Sequence, residues 1–582
     1  MTGPKPSLAG IWRLATPYFW SEDRVAGRAL LLIIVAIELA VVGVTVLVNK
    51  WNNAFYNALQ DRDWTAFVNQ LAYFGVLAGT FIVLKVYQLY LNQWLQVRWR
   101  RWMTQAYLRH WLDDANHYRM QLQGDAADNP DQRIAEDIQL FVVRTLRIGL
   151  GFLNSVVTIL SFVLILWGLS NAAPLHLFGS TIDIPGYLVW AALIYSVAGT
   201  LFTHLIGRPL IRLIFTQQRY EADFRFNLVR TRENSEQIAL LSGEKAETGR
   251  LIDRFQNVVN NWFNIMRRQK KLTFFTASFD QMSTIFPFIV VSPAYFAGQV
   301  QLGALMQTAS AFGIVQQAMS FFVSTYSELA EWGAVIQRLS GFNAAIAQAH
   351  ASGAPAAGVR RVDGDKKAGI QLHDVSLRLP NGAPLLADVQ TAFGTGRNAL
   401  LTGPSGSGKS TLFRAIAGVW PFGRGTIAIP TDAHVMVLPQ RPYFPVATLA
   451  TAISYPAEPG TFSTETLART LELVGLPALA SRLNEEAHWN RILSLGEQQR
   501  LAIARALLQK PDFLFLDEAT ASLDEESEAA LYGMLRTQLA GTTVVSIGHR
   551  STLGAFHDRR IALKRDGEQH RLIEAKVEPA AG

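Results

Sequence analysis

Residues 398–418 read NALLTGPSGSGKSTLFRAIAG. An apolar strand ending at Leu401 leads into Gly403, Pro404, Ser405, Gly406, Ser407, Gly408, Lys409, Ser410 and Thr411, a match to GxxxxGK[ST], and a helix is expected from Ser410. The glycines let the backbone curl so that its N–H groups point at phosphate oxygens, at a helix N-terminus that already favours anions. In that arrangement Lys409 reaches the β and γ phosphates and Ser410 holds Mg²⁺. The stretch therefore predicts a nucleotide-binding α/β domain.

Downstream residues supply the rest of a phosphate chemistry. In FLFLDEAT (513–520), four apolar residues bring Asp517 and Glu518 to the end of a buried strand. There Asp517 can bind the metal and Glu518 can activate water as general base. Gln440 in VLPQRPY can contact the metal and the attacking water, and His549 in SIGHR can orient water and γ phosphate. Short β-rich runs such as IQLHDVSLRL, HVMVL and TTVVSI alternate with helical stretches, so the sheet should be largely parallel.

Upstream the composition changes. The chain has 582 residues, too many for one core, and 17% are charged against about 25% in a typical soluble domain. Six apolar runs near Ala29–Val48, Leu71–Leu91, Ile148–Leu169, Tyr187–Ile206, Thr273–Ala297 and Gly303–Tyr326 are long enough for the roughly 30 Å hydrocarbon core. Asp280, Pro287 and Pro293 interrupt the fifth. The first is about the length of a span and lacks a small-residue cleavage site, so it is expected to remain. Before it, GIWRLATPYFWSEDR mixes aromatic and charged residues as an interfacial helix does.

Arg98, Arg100, Arg101, Arg109, Arg119, Arg133 and Arg144 fall between the second and third runs, and Arg208, Arg212, Arg219, Lys270 and Lys271 between the fourth and fifth. These loops should be cytoplasmic, with both termini inside. The same bias explains the formal charge of +7 without nucleic acid, and the absence of cysteine excludes disulfides and thiolate zinc sites. The expected division is an N-terminal interfacial segment over 1–27, a six-helix transmembrane domain over 28–343, an Ala- and Gly-rich linker over 344–368 and a nucleotide-binding domain over 369–582. Glu38, Lys85 and Asp280 lie within spans, where a charge costs roughly 2.5–3.5 kcal/mol, so they should face protein or water. A Glu38–Lys85 ion pair and a cavity role are both open. Gln281, Gln307, Gln316 and Gln317 suit a wet cavity or hydrogen bonds between helices.

LSLGEQQRLAIARALLQKP (493–511) stands shortly before FLFLDEATASLD, and with the phosphate loop it resembles the ABC family of ATPases. The resemblance covers the last 215 or so residues: Walker A at Gly403–Ser410, Q-loop at Gln440, signature at Leu493–Glu497, Walker B at Asp517 and Glu518, D-loop at Ser522–Asp524, H-loop at His549. It implies ATP and Mg²⁺, with Ser494, Gly496 and Glu497 of the signature completing the site on a second subunit, hence a homodimer. Two positions depart from the family pattern. LSLGE replaces LSGGQ, and Leu379 stands where many relatives carry an aromatic residue to stack on adenine.

WNNAFYNALQDRDW (51–64), NPDQRIAEDI (129–138), SEQIALLSGEK (235–245), LPQRPY and LSLGEQQR resemble one branch of that family. It joins the peroxisomal fatty-acyl transporters of subfamily D with bacterial SbmA/BacA-like transporters carrying a fused ATPase. The branch implies an exporter-like fold in a bacterial inner membrane, in contact with lipid, and uptake of peptides or cobalamin-like solutes. Acyl-CoA transport or lipid flipping is the alternative. It also places Glu236 and Glu244 near the ATPase, as coupling or gating residues. A membrane sensor or channel that binds ATP without cycling would have no use for Glu518 and His549.

Overall fold

The computed structural model describes residues 8–122, 124, 129–172, 175–177, 180–182, 184–321, 325–352 and 358–575. Contacts divide the chain into two compact units, Met1–Leu108 with Asn129–Ser340, and Arg109–Asp128 with Gly341–Gly582.

The first unit is helical. Helices α1 (Leu8–Phe19), α2 (Arg24–Gln60), α3 (Trp64–Leu112), α4 (Asn116–Leu122), α5 (Ile138–Ala172), α6 (Tyr187–Glu233), α7 (Ser235–Leu240), α8 (Glu244–Phe296), α9 (Leu302–Met319) and α10 (Tyr326–Ser352) follow in order, α4 and the ends of α3 and α10 lying in the second unit. Among the described residues, five helical stretches are long and apolar enough to cross a membrane, and they carry the first five expected runs. α8 continues through Pro287 and Pro293, as membrane helices tolerate where neighbours satisfy the freed backbone groups. The sixth run gives the 18-residue α9, whose hydropathy is lowered by Gln307, Gln316 and Gln317. Residues 322–324 of that run lie outside the described residues.

α9 is buried among its neighbours, and an amide ladder explains how it carries polar groups there. Asn49, Asn53 and Asn57, spaced by four, share one face of α2. Gln307 Nε2 donates to Asn49 Oδ1 (3.2 Å), Asn53 Nδ2 donates to Gln307 Oε1 (2.8 Å) and Asn57 Nδ2 donates to Asn53 Oδ1 (2.9 Å). Asn57 and Gln60 then accept from the free N–H groups of Gly303 (2.8 Å) and Leu302 (2.6 Å), capping α9 from another helix. A Cβ on Gly303 would overlap the Asn53 carbonyl. Below the ladder, Phe162, Leu166, Tyr187, Leu188, Val291, Leu305, Phe312 and Val315 form an apolar cluster. In the NPDQRIAEDI motif, buried Asp137 accepts from Arg133 (2.5 Å) and Arg338 (2.9 Å).

At the N-terminus, residues 1–7 of the expected interfacial segment lie outside the described residues. α1 turns Tyr18 inward to stack on Trp99 (5.6 Å) and leaves Trp12 72% exposed, as is Trp20 in the turn that follows. The expected linker is shorter than read. α10 reaches Ser352 because NAAIAQAHAS is rich in alanine, the best helix former. Residues 353–357 lie outside the described residues, and a strand begins at Arg360.

The second unit is built on a ten-stranded sheet: β1 (Arg360–Gly364), β2 (Ile370–Arg378), β3 (Pro384–Phe393), β4 (Ala399–Thr402), β5 (Gly423–Pro430), β6 (Val435–Leu438), β7 (Phe513–Asp517), β8 (Thr543–Ile547), β9 (Arg559–Asp566) and β10 (Gln569–Ala575). Their order across the sheet is β1-β5-β2-β3-β10-β9-β4-β8-β7-β6. β9, β4, β8, β7 and β6 are mutually parallel; β4 and β7 carry the apolar runs ALL and FLFL, and β8 is buried along its whole length, as suits strands covered on both faces. Helices α11 (Lys409–Ile416), α12 (Leu495–Gln509) and α13 (Glu525–Gln538) pack with the sheet.

Candidate nucleotide site

Four adjacent parallel strands end in line. Leu401 of β4 pairs with Ile547 of β8, Ile547 with Asp517 of β7, and Leu516 with Leu438 of β6. The segments leaving them are the phosphate loop, the turn to His549, the Asp517–Glu518 pair and the turn to Gln440. Parallel strands with matched ends deliver all four to one edge, where open α/β sheets bind ligands.

The phosphate loop curls through left-handed glycines. Gly408 has φ +96°, and a Cβ there would press on Leu385 and Leu386, so both backbone and space select glycine. Lys409 Nζ, largely buried, donates to the carbonyls of Gly403 (2.8 Å) and Pro404 (2.9 Å). Burial lowers its pKa, and Glu518 and Asp517 oppose that. Ser407 Oγ is buried without a partner among the described residues, an unspent donor in a loop whose form suits anion oxygens.

Ser410 Oγ donates to Asp517 Oδ1 (2.8 Å). Burial pushes the Asp517 carboxyl up, the Ser410 hydrogen bond opposes this and nearby Glu518 adds to it. A hydroxyl and a carboxylate oxygen fit Mg²⁺, which takes one or two protein oxygens and completes its shell with phosphate and water.

Glu518 has φ +51°, a left-handed conformation costing about 1–3 kcal/mol in a non-glycine residue and typical of functional positions. Its N–H donates to Ile547 O (3.2 Å), and its carbonyl accepts from Ala521 N. The carboxylate then meets Gln440 Nε2 on Oε2 (3.2 Å) and His549 Nε2 at Oε1 (3.3 Å). A carboxylate held between an amide and an imidazole, near the Lys409 cation and the Ser410–Asp517 hydrogen bond, can take a proton from water.

The signature departure has a local cause. Ser494 caps α12, its Oγ accepting from Glu497 N (3.4 Å) while Glu497 Oε2 takes the Ser494 N–H (2.8 Å), a reciprocal capping box. Glu497 is thus a helix cap, and S-x-x-E was the signal for it. Gly496 packs against Leu523 and the Ser522 carbonyl. Among the described residues, no hydrogen bond joins Ser494 or Gly496 to this chain's phosphate loop. Leu379 lines an open cavity with Arg378, Phe422 and Arg424.

Three buried polar residues escaped the sequence reading. Gln499, 1% exposed, bridges the Gln440 carbonyl and the Ser522 N–H. Arg505 donates to the carbonyls of Tyr443 (3.1 Å) and Ala452 (2.8 Å) and lies over the Phe444 ring, with burial lowering its pKa to about 10. Both stand in the apolar stripe of α12, where a polar residue needs buried partners. Arg119, read as a loop charge, is buried in the second unit against Asp114 (2.8 Å) and the Gly418 carbonyl (3.5 Å), and Leu122 packs on the core of the sheet.

The membrane residues resolve differently. Glu38, 5% exposed, accepts from Asn154 Nδ2 (2.5 Å), whereas Lys85 is exposed and donates to Gln88 (3.0 Å), so the Glu38–Lys85 ion pair is not formed. Gln307 belongs to the amide ladder and not to a wet cavity, because α2 offers it matched partners. Asp280 and Gln281 are exposed on α8, and Gln316 is buried on α9. Glu236 and Glu244 are exposed in the first turns of α7 and α8.

Comparison with known proteins agrees with this architecture. The model described as ABC transporter transmembrane region 2 matches residues 14–296, and that described as ABC transporter matches 386–521. The inner membrane ABC transporter ATP-binding protein YddA of Escherichia coli is 34% identical over 92% of this chain and 94% of its own. The chloroplastic ABC transporter D family member 2 of Arabidopsis thaliana is 33% identical over 94% of this chain and 85% of its own. The mouse lysosomal cobalamin transporter ABCD4 is 27% identical, covering 96% of this chain and 94% of its own. A bacterial Atm1-family ABC exporter with ATP bound shares the fold, with TM-score 0.71 at 16% identity over 93% of this chain and 94% of that one. The chain therefore belongs to the ABC transporter family, as an ATP-binding half-transporter related to bacterial YddA and to the D-family transporters.

Proposed function

We propose that two copies of this chain form an ATP-driven transporter of the bacterial inner membrane. It takes hydrophilic solutes such as peptides or cobalamin-like compounds inward by alternating access, with the ATPase unit and both termini cytoplasmic. The observation that carries the reading is the meeting of Lys409, Ser410, Asp517, Glu518, Gln440 and His549 at the ends of four neighbouring strands. Lys409 and the loop N–H groups hold the β and γ phosphates. Ser410 and Asp517, with Gln440 beside them, would hold Mg²⁺, which when bound neutralises charge on the phosphates. Glu518 accepts a proton from the attacking water, which His549 orients. Ser494 and Gly496 reach the γ phosphate bound to the partner subunit, so ATP favours the closed pair and hydrolysis releases it. Glu236 and Glu244, exposed in the first turns of α7 and α8, carry that change to the spans.

The hydrophilic cargo is supported by the branch resemblance and by the printed name of the lysosomal cobalamin relative. The shared site is tested by co-expressing Lys409→Ala and Gly496→Asp, each inactive alone. If each site takes Lys409 from one copy and Gly496 from the other, random pairing restores about a quarter of wild-type ATPase, since half the pairs are mixed and each keeps one intact site. No recovery would mean that the copies do not share sites.

A further inference from the structure

The loop that follows Glu518 is held from two sides. On one side, Arg550 Nη2 donates to Leu523 O (2.7 Å), and Arg550 Nη1 pairs with buried Glu528 (3.2 Å), which also accepts from Thr520 Oγ1 (2.6 Å). On the other, Gln499 Oε1 accepts from Ser522 N (3.0 Å) while Gln499 Nε2 donates to the Gln440 carbonyl (3.1 Å). Since Gln440 Nε2 donates to Glu518 (3.2 Å), the contacts close a ring: Glu518, along the chain to Ser522, across to Gln499, on to Gln440 and back to the Glu518 carboxylate.

We propose that Gln499 is a positioning residue for ATP hydrolysis, setting the Glu518 carboxylate against Gln440 by gripping the backbone on both sides of that contact. Its chemistry is specific. The ring needs one donor and one acceptor at the end of a three-carbon reach, and glutamine alone combines them without charge. Glutamate would set an oxygen against the Gln440 carbonyl, asparagine falls a methylene short, and methionine fills the space with neither group. Because Arg550 and Glu528 still hold the loop when Gln499 is changed, the loop stays folded and only its alignment is lost. A displacement of about 1 Å in a reacting group is enough to cost up to 100-fold in rate. Lys409 and the phosphate loop are not part of the ring, so nucleotide affinity is spared.

This inference rests on the hydrolytic reading of the site, and the controls separate the two. Wild type that hydrolyses ATP while Glu518→Gln does not supports the hydrolytic reading whatever Gln499 does. The test is steady-state ATPase activity of the full-length protein in nanodiscs for Gln499→Met and Gln499→Asn, with thermal melting of each. Both should lose on the order of tenfold or more in kcat with KM for ATP changed less than about twofold. Gln440→Ala combined with Gln499→Met should lose no more than the larger single loss, since both act on one contact. A structural role alone would lower the melting point and the active fraction without that non-additivity. Wild-type kcat in Gln499→Asn, KM rising in step with the loss, or multiplying losses in the double variant would each overturn the proposal.

Discussion

Replacing Gln307 by leucine probes the amide ladder directly. The side chain is 8% exposed and makes two hydrogen bonds, to Asn49 Oδ1 (3.2 Å) and from Asn53 Nδ2 (2.8 Å). Leucine is close in volume, so no cavity follows, but both bonds go: Asn49 Oδ1 is left buried and unpaired, and half-buried Asn53 Nδ2 loses its acceptor. Hydrogen bonds between membrane helices average about 0.6 kcal/mol each, and a stranded buried polar group costs about 1–3 kcal/mol. Partial relaxation of the two asparagines leaves a loss of about 2–4 kcal/mol, a melting midpoint lower by roughly 3–6 °C in a unit of this size. Thermal melting in nanodiscs reads this, with Gln317→Leu on the same helix as control. Gln317 is exposed, so its change should stay within about 0.5 kcal/mol. A Gln307→Leu protein as stable as wild type, or no less stable than the control, would refute the ladder.

Glu497→Ala removes the reciprocal half of the α12 cap and should destabilise the ATPase unit by about 1 kcal/mol, whereas Glu497→Gln keeps the box and should be near neutral; equal melting of both variants would show that Glu497 does not cap the helix. His557 is buried between Ser546 Oγ (2.8 Å) and the Leu553 carbonyl (2.7 Å), and burial lowers its pKa below the usual 6.5. The unfolded chain therefore binds the proton first, so this stability is complete above about pH 6.5 and is lost as pH falls toward the depressed folded value. Melting of the wild type should drop faster below pH 6.5 than that of His557→Gln, and parallel curves would contradict the assignment.

Among the candidate nucleotide-site residues, Gln440, Asp517, Glu518 and His549 could be picked out because each lies within two residues of the end of an apolar run, and parallel strands with matched ends bring such positions together. Gln499 was not legible, since its partners at Gln440 and Ser522 are found only once α12 packs against the sheet. Gln307 stayed open between a wet cavity and hydrogen bonds between helices for the same reason: its partners lie about 250 positions away on α2. The S-x-x-E box at Ser494–Glu497 could have been read, but comparing Glu497 with a family glutamine hid its local role. Arg119 matched a charge bias that describes loops in bulk and says nothing of a single guanidinium docked on a backbone carbonyl. The helical start of the expected linker was hidden by its glycines, although alanine predominates up to Ser352.

The central claim is that proton abstraction by Glu518 drives cargo across the membrane. Its most direct measurement is movement of labelled cobalamin and of a short proline-rich peptide in proteoliposomes, with ATP on the ATPase face, comparing wild type with Glu518→Gln. ATP-dependent movement toward the ATPase face, lost in the variant, is the predicted result. Movement that persists in Glu518→Gln, or no movement of either solute while lipid stimulates ATPase activity, would contradict it, the second outcome pointing to an acyl or lipid cargo.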